Sequence, residues 1–181
     1  MIHQGPCGKM PRIDESAYIH PSAVIIGNVH IGKDVFIGPN ASLRADERGS
    51  EIIIGDGSNI QDNVVMHCLE NTSAVIGRCN SFAHNAIVHG PCRTGEACFV
   101  GFGSILFDCT LGRECVVMHQ CFVENINCND QSLIQSGTII RSDADEHKVH
   151  PLDEESVNFS EKVLRVNQDL VKRYKKIQPT Q

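Results

Sequence analysis

An aliphatic or similar side chain recurs every six residues through most of this chain, and that period limits what it can fold into more than any other feature. The leading positions are Ile31, Ile37, Leu43; Ile54, Ile60, Met66; Ile76, Phe82, Val88, Thr94, Val100, Leu106; and Leu111, Val117, Val123. A helix would show spacings of three and four, and a half-buried strand would alternate every two. A six-residue unit buries nothing alone, so the units must stack, each coil covering the one below. Glycine follows the leading residue at 32, 38, 55, 77, 95, 101 and 112, which reads as a tight bend taken freely only without a Cβ. Four places beyond the lead stand small side chains or valine: Val35, Ala41, Ser58, Val64, Ala86, Cys92, Cys98, Ser104, Thr110, Cys115 and Cys121. Anything larger would overfill a narrow interior. The pattern predicts a mainly β chain, a parallel β-helix over residues 12–140.

Two insertions interrupt the period. The step from Leu43 to Ile54 carries five extra residues and that from Met66 to Ile76 carries four. Insertions in a solenoid fall at its corners, often on the binding side, so both are candidate active-site loops. After residue 140 an acidic connector occupies 141–155. Val163, Leu164, Leu170, Val171, Tyr174 and Ile177 then recur at helical spacing and predict one amphipathic α-helix over 156–177. Asp153 or Ser156 can cap it, and Lys172, Arg173, Lys175 and Lys176 suit its C-terminal end. Residues 1–181 read as a single domain.

Composition narrows the partners. With 16 Lys and Arg against 22 Asp and Glu, the formal net charge of -6 argues against a nucleic-acid partner, whose binding rests on neutralised phosphates. Aromatics at 5% and the absence of Trp offer no stacking platform. No apolar run approaches the ~18 residues of a membrane span, and MIHQGPCGKMPRIDES lacks a signal-peptide core, so a cytoplasmic protein without a membrane partner is expected. Nine cysteines without a CxxC pair suit a reducing compartment. Most of them read as interior fillers of the repeat.

Three segments carry more specific information: Leu43-Arg44-Ala45-Asp46-Glu47, Asn59-Ile60-Gln61-Asp62-Asn63-Val64-Val65-Met66-His67, and Ala83-His84-Asn85-Ala86-Ile87-Val88-His89-Gly90. They resemble the gamma-class carbonic anhydrases, and the resemblance runs from Ile19-His20-Pro21 to Val166-Asn167-Gln168. It implies a left-handed, three-sided hexapeptide-repeat β-helix followed by one α-helix and assembled as a homotrimer. It further implies a zinc ion at each subunit boundary and reversible hydration of CO2 to bicarbonate by zinc-bound hydroxide. Imidazole ligands also suit Fe2+ or Co2+.

Granted three faces per coil, the histidines can be counted into register. From Met66 the leads pass through Ile76 and Phe82 to Val88, one full turn, so His67 and His89 share a place on successive coils. Their backbones should lie about 4.8 Å apart, close enough for two imidazoles to grip one ion. His84 lies on the preceding face and would complete the ligand set from a neighbouring subunit. Arg44 falls one coil below His67, and Gln61 one coil below Ala83.

The resemblance assigns Gln61 to a hydrogen bond with the hydroxide, and Arg44 and Asp46 to trimer ion pairing and site structure. It assigns Glu70, three residues after His67, to proton export, with Glu47 secondary and Asn167 matching in the terminal helix. Two departures are visible: Arg165 stands where a tyrosine is often found, and the loop ENTSAVIG after Glu70 is short and poor in acid. His3, His20, His30, His119, His147 and His150 read as surface residues, and Cys68 is the one thiol adjacent to a ligand. Two other functions use such a repeat: a metal-binding trimeric scaffold of weak activity, and an acyltransferase employing coenzyme A with a histidine as general base. The acyltransferase has no need of His67 and His89 in stacked register.

Overall fold

The computed structural model describes residues 1–177. Short parallel strands repeat in three columns and form a three-sided solenoid with one C-terminal helix. The first face holds Val24–Gly27, Ser42–Ala45, Val65–Cys68, the start of Ile87–Thr94, the start of Ile105–Leu111, Phe122–Glu124 and Ile139–Ile140. The second runs from Arg12–Ile13 through Glu51–Ile54 and Ser73–Ile76 to Asn127–Cys128. The third runs from Tyr18–Ile19 through Asn59–Ile60 and Ser81–Phe82 to Ser132–Ile134. Pairing starts earlier than the repeat suggests: Ile2–His3 already lies beside Val24–Gly27, covering what would otherwise be a bare edge. At the other end Val149–Pro151 closes the third face by pairing antiparallel with Ser132–Ile134.

All fifteen leading side chains point inward and are buried. Three places beyond many of them the backbone enters the left-handed region, at Asp34, Asn40, Asn63, Asn85, Ala97, Glu114 and Gln120 among others. These are the corners, and Asn, Asp and Gly tolerate them best. The next residue points into the corner and bonds to the neighbouring coil. Ser58 Oγ donates to the Gly77 carbonyl (3.0 Å), Ser104 Oγ to Met118 (2.7 Å), Cys98 Sγ to Gly112 (3.0 Å) and Cys121 Sγ to Gln135 (3.1 Å). Small and weakly polar is therefore what the position requires.

Two readings of the repeat are corrected by the coordinates. The glycines behind the leads do not have positive φ, so conformational freedom is not their purpose. They lie where one coil touches the next: a Cβ at Gly77 would fall 2.3 Å from the Gly95 oxygen, and one at Gly95 would fall 2.7 Å from Gly112. Thr110, expected inside, is only half-buried, and Cys109 fills the core instead. The step from Leu106 to Leu111 has five residues, which moves the inward position back by one.

First-face register partners lie 18, 23, 22, 18, 17 and 17 positions apart on passing along the solenoid. Both long intervals lie at the corner between the first and second faces, where the two insertions stack on each other through a bond from Asn71 N to the Arg48 carbonyl (2.9 Å). The helix Glu154–Ile177 covers the third face. Val163 packs near Ala83, Phe99 and Val116, and Val171 and Tyr174 lie against Tyr18 and Phe36. Its N-terminus is held by Asp153, whose carboxylate accepts from Ser156 N at 2.7 Å.

Candidate metal centre

Strand alternation sets the site. In Val65–Cys68 the second and fourth side chains are core, so His67 faces outward between Met66 and Cys68. Its direct register partners are Arg44 one coil below and His89 one coil above. His67 Nδ1 lies 3.2 Å from His89 Nε2.

The proton positions follow from the remaining partners. His89 Nδ1 is 3.1 Å from the Gly90 carbonyl oxygen, which only accepts, so the proton sits on Nδ1 and Nε2 carries a lone pair. His67 Nε2 is 3.3 Å from Asp46 Oδ1 and 3.6 Å from Glu47 Oε1, so a proton there leaves Nδ1 as a lone pair as well. With the protons assigned that way, a lone pair on each ring faces the other across the 3.2 Å gap. A cation between the rings would satisfy both, and the separation matches two nitrogen ligands on one tetrahedral zinc, about 3.3 Å for bonds of 2.0–2.1 Å. The donor set fits a metal, and each ring hands its second nitrogen to an oxygen, the usual support for a ligating imidazole. Asp46 is itself fixed by Arg44 Nη1 at 2.9 Å, within the same chain.

His84 stands apart from this pair. It occupies the corner after Ser81–Phe82, and its side chain is 46% exposed against 16% for His67. Its Nδ1 is 2.9 Å from Asp62 Oδ2, and a proton on Nδ1 leaves Nε2 with the lone pair. Among the described residues, no three His, Cys, Asp or Glu side chains of one chain are grouped to hold an ion. His67 and His89 thus form a two-imidazole pair, and His84 is an oriented imidazole apart from it.

Gln61 is buried on the third face, one coil below Ala83, with its amide nitrogen donating to Asn59 Oδ1 (3.0 Å) and Asn59 in turn to Ser81 Oγ (2.6 Å). Glu70 is an exposed turn residue with no bond or ion pair to the histidines within the described chain. Asn167 is buried in the helix and donates to the Val163 carbonyl (3.0 Å), so one chain does not bring it to the pair. Cys68 faces the core, its thiol 3.2 Å from the Glu51 carbonyl, and burial pushes that thiol up to about 11. It stays protonated at neutral pH and is a poor nucleophile.

Asp62 escaped the sequence reading. A signal existed: Asp62 precedes His84 by the same 22 positions that separate His67 from His89, so the two share a corner on successive coils.

The family described as bacterial transferase hexapeptide (six repeats) matches residues 10–45. The carbonic anhydrase of Methanosarcina thermophila is 33% identical over 186 residues, covering 91% of this chain and 75% of that protein. The carboxysome assembly protein CcmM of a Nostoc species is 36% identical over 169 residues, covering 88% of this chain; the chain spans only 30% of that relative's length. A crystal structure of a hexapeptide transferase family protein from Anaplasma phagocytophilum superposes with a TM-score of 0.81 at 27% identity, covering 96% of this chain and 98% of the other. The chain belongs to the hexapeptide-repeat family of left-handed β-helices. Within that family its relatives include the gamma-class carbonic anhydrase of Methanosarcina. None of the helices is long and apolar enough to cross a membrane among the described residues.

Proposed function

We propose that the protein is a gamma-class carbonic anhydrase, a homotrimer whose metal is held by His67 and His89 of one protomer and His84 of its neighbour. One observation carries the reading: His67 Nδ1 and His89 Nε2 meet at 3.2 Å across adjacent coils, with an oxygen beside the second nitrogen of each ring. A second supports the assembly. Val65, Ile87, Ile105, Phe122 and Ile139 form an unbroken outward column beside the histidines, and Val65, Ile87 and Ile139 are 38%, 37% and 49% exposed. An apolar strip of that length on a sheet face calls for cover by another chain. The 33% identity to the Methanosarcina enzyme bears on the substrate.

Held by these three imidazoles, zinc would lower the pKa of a coordinated water to about 7, the value established for carbonic anhydrase, and Fe2+ or Co2+ could take its place. The chain's own residues do the rest. Asp46, clamped by Arg44, fixes the ring of His67, and the Gly90 carbonyl fixes that of His89. Asn59 holds the Gln61 amide so that its carbonyl oxygen can accept a hydrogen bond and orient a nucleophile. Glu47, 39% exposed and 3.6 Å from His67 Nε2, can pass a proton to solvent, with the exposed Glu70 one turn further on.

Metal content and CO2 hydration, measured on the wild type and His84→Ala after anaerobic purification, test the reading. The wild type should hold one metal per chain and turn over CO2, and the variant should lose both. Full metal and full rate in His84→Ala would discard the ligand set. Metal without hydration in the wild type would favour the scaffold, in line with the likeness to a carboxysome assembly protein. Mixing His67→Ala with His84→Ala chains should restore some intact boundaries if ligands come from two protomers.

A further inference from the structure

His84 is held by more than Asp62. The ring of Phe102 lies against it with centroids 5.4 Å apart and planes within 13°, and the ring of His119 lies on the far side of Phe102 at 4.4 Å and 7°. The three occupy one corner on three successive coils, bonded in sequence by Gly103 N to the His84 carbonyl (3.0 Å) and Gln120 N to the Phe102 carbonyl (2.8 Å). The stack is anchored at its far end. Phe102 N donates to His119 Nδ1 at 3.1 Å, which turns the His119 ring flat onto Phe102. Phe99 and Phe159 of the terminal helix meet His119 edge-on at 6.3 Å and 6.2 Å. Residue 101 must be glycine for this: a Cβ there would fall 2.6 Å from His119 Nδ1.

We infer that Phe102, backed by His119, is a positioning residue for His84, resting on the reading of His84 as the third ligand. An imidazole on a half-exposed corner has several staggered rotamers open to it. Asp62 fixes one nitrogen but leaves the ring free to pivot about that bond. The flat face of Phe102 removes the pivot, and offset stacking of planar rings is the favoured contact. A ligand competent in only a fraction of its rotamers weakens apparent affinity by that fraction. Removing Phe102 should therefore weaken metal binding about three- to ten-fold. His119, which reads from sequence as plain surface, acts at one remove through Phe102.

The test uses full-length Phe102→Leu, Phe102→Tyr and His119→Leu, with three readouts. In metal-free protein, NMR of the His84 ring protons should show the ring-current shift of a stacked neighbour, lost in Phe102→Leu and retained in Phe102→Tyr. Zn2+ affinity by chelator competition should fall in Phe102→Leu and His119→Leu and recover in Phe102→Tyr. Substituted Co2+ should report the looser ligand through a changed visible absorption band. Equal affinity, spectrum and ring shifts in Phe102→Leu and wild type would overturn the inference. If Phe102→Leu fails to fold, His119→Leu carries the same comparison with Phe102 in place. Should His84→Ala leave Zn2+ affinity untouched, the ligand assignment fails, while the metal-free NMR still decides whether Phe102 orients the ring.

Discussion

The two halves of the candidate site are positioned by different physics. His67 and His89 sit on paired strands, where the parallel ladder fixes their Cα atoms as register partners and strand alternation turns both outward. His84 sits on a corner, and what orients it is side chain alone: the Asp62 carboxylate and the Phe102 ring. A ladder costs a whole coil to disturb, whereas a corner can be loosened by one substitution that leaves the fold intact.

The largest expected effect falls on the ladder side. Structural zinc sites bind with about 10–16 kcal/mol shared over four ligands, so His89→Ala should cost about 2.5–4 kcal/mol, roughly 70- to 900-fold in Zn2+ affinity by chelator competition. The melting temperature of the metal-free protein should hardly change. An unchanged affinity would remove the pair from the site. Gly77→Ala strikes the scaffold behind both halves. Its new Cβ meets the Gly95 carbonyl at 2.3 Å, and a loss of about 3 kcal/mol or more in urea unfolding is expected. Wild-type stability there would mean that the coils give way easily and that the contrast with the corner is overdrawn.

On the corner side, Asp62→Asn should weaken Zn2+ binding about 10- to 100-fold at constant stability, the usual cost of removing a carboxylate behind a ligating imidazole. Asp46→Asn makes the matched change behind His67. A smaller loss for Asp46→Asn than for Asp62→Asn would sharpen the comparison, because the ladder still holds His67 when its carboxylate is gone. Cys98→Val deletes the corner bond to Gly112 and should cost about 1 kcal/mol by denaturation, and Cys98→Ser should retain most of it. Identical behaviour of the two would show that only volume matters at that position.

The smallest effect is a pH dependence. The bond from Ser156 N holds the Asp153 carboxyl below the usual carboxylate range. A pKa lowered on folding adds stability that is present above the unfolded value near 3.8 and is lost as pH falls through the folded value. Asp153→Ala should thus lower the melting temperature slightly at pH 7, and the difference should vanish in strong acid. A difference that persists at pH 2 would locate the effect elsewhere.

Much of the fold was legible because inward positions of a stacked coil repeat at fixed spacing, so Ile31 through Val123 could be read off directly. The pairing of His67 with His89 could be counted once three faces were assumed, since one lead residue per face makes the coil an arithmetic unit. Thr110 failed the count because the four-place offset was carried unchanged across the five-residue step from Leu106 to Leu111, where the paired strand aligns Cys109 with Cys92. Phe102 and His119 were missed for a related reason: coils of 22, 18 and 17 residues bring corners together at unequal intervals, so no single period links 84, 102 and 119.

By itself the sequence determined the solenoid, its interior and the outward register of the two strand histidines, because each follows from local spacing and the alternation of a strand. Only the tertiary structure decided which nitrogens of those rings face each other, what the glycines are for, and which side chains steer the corner histidine. Those depend on contacts across coils, whose lengths vary with every insertion and shortened step. The physical reason is that a backbone ladder transmits order along the chain, while a side-chain clamp exists only where two distant segments touch.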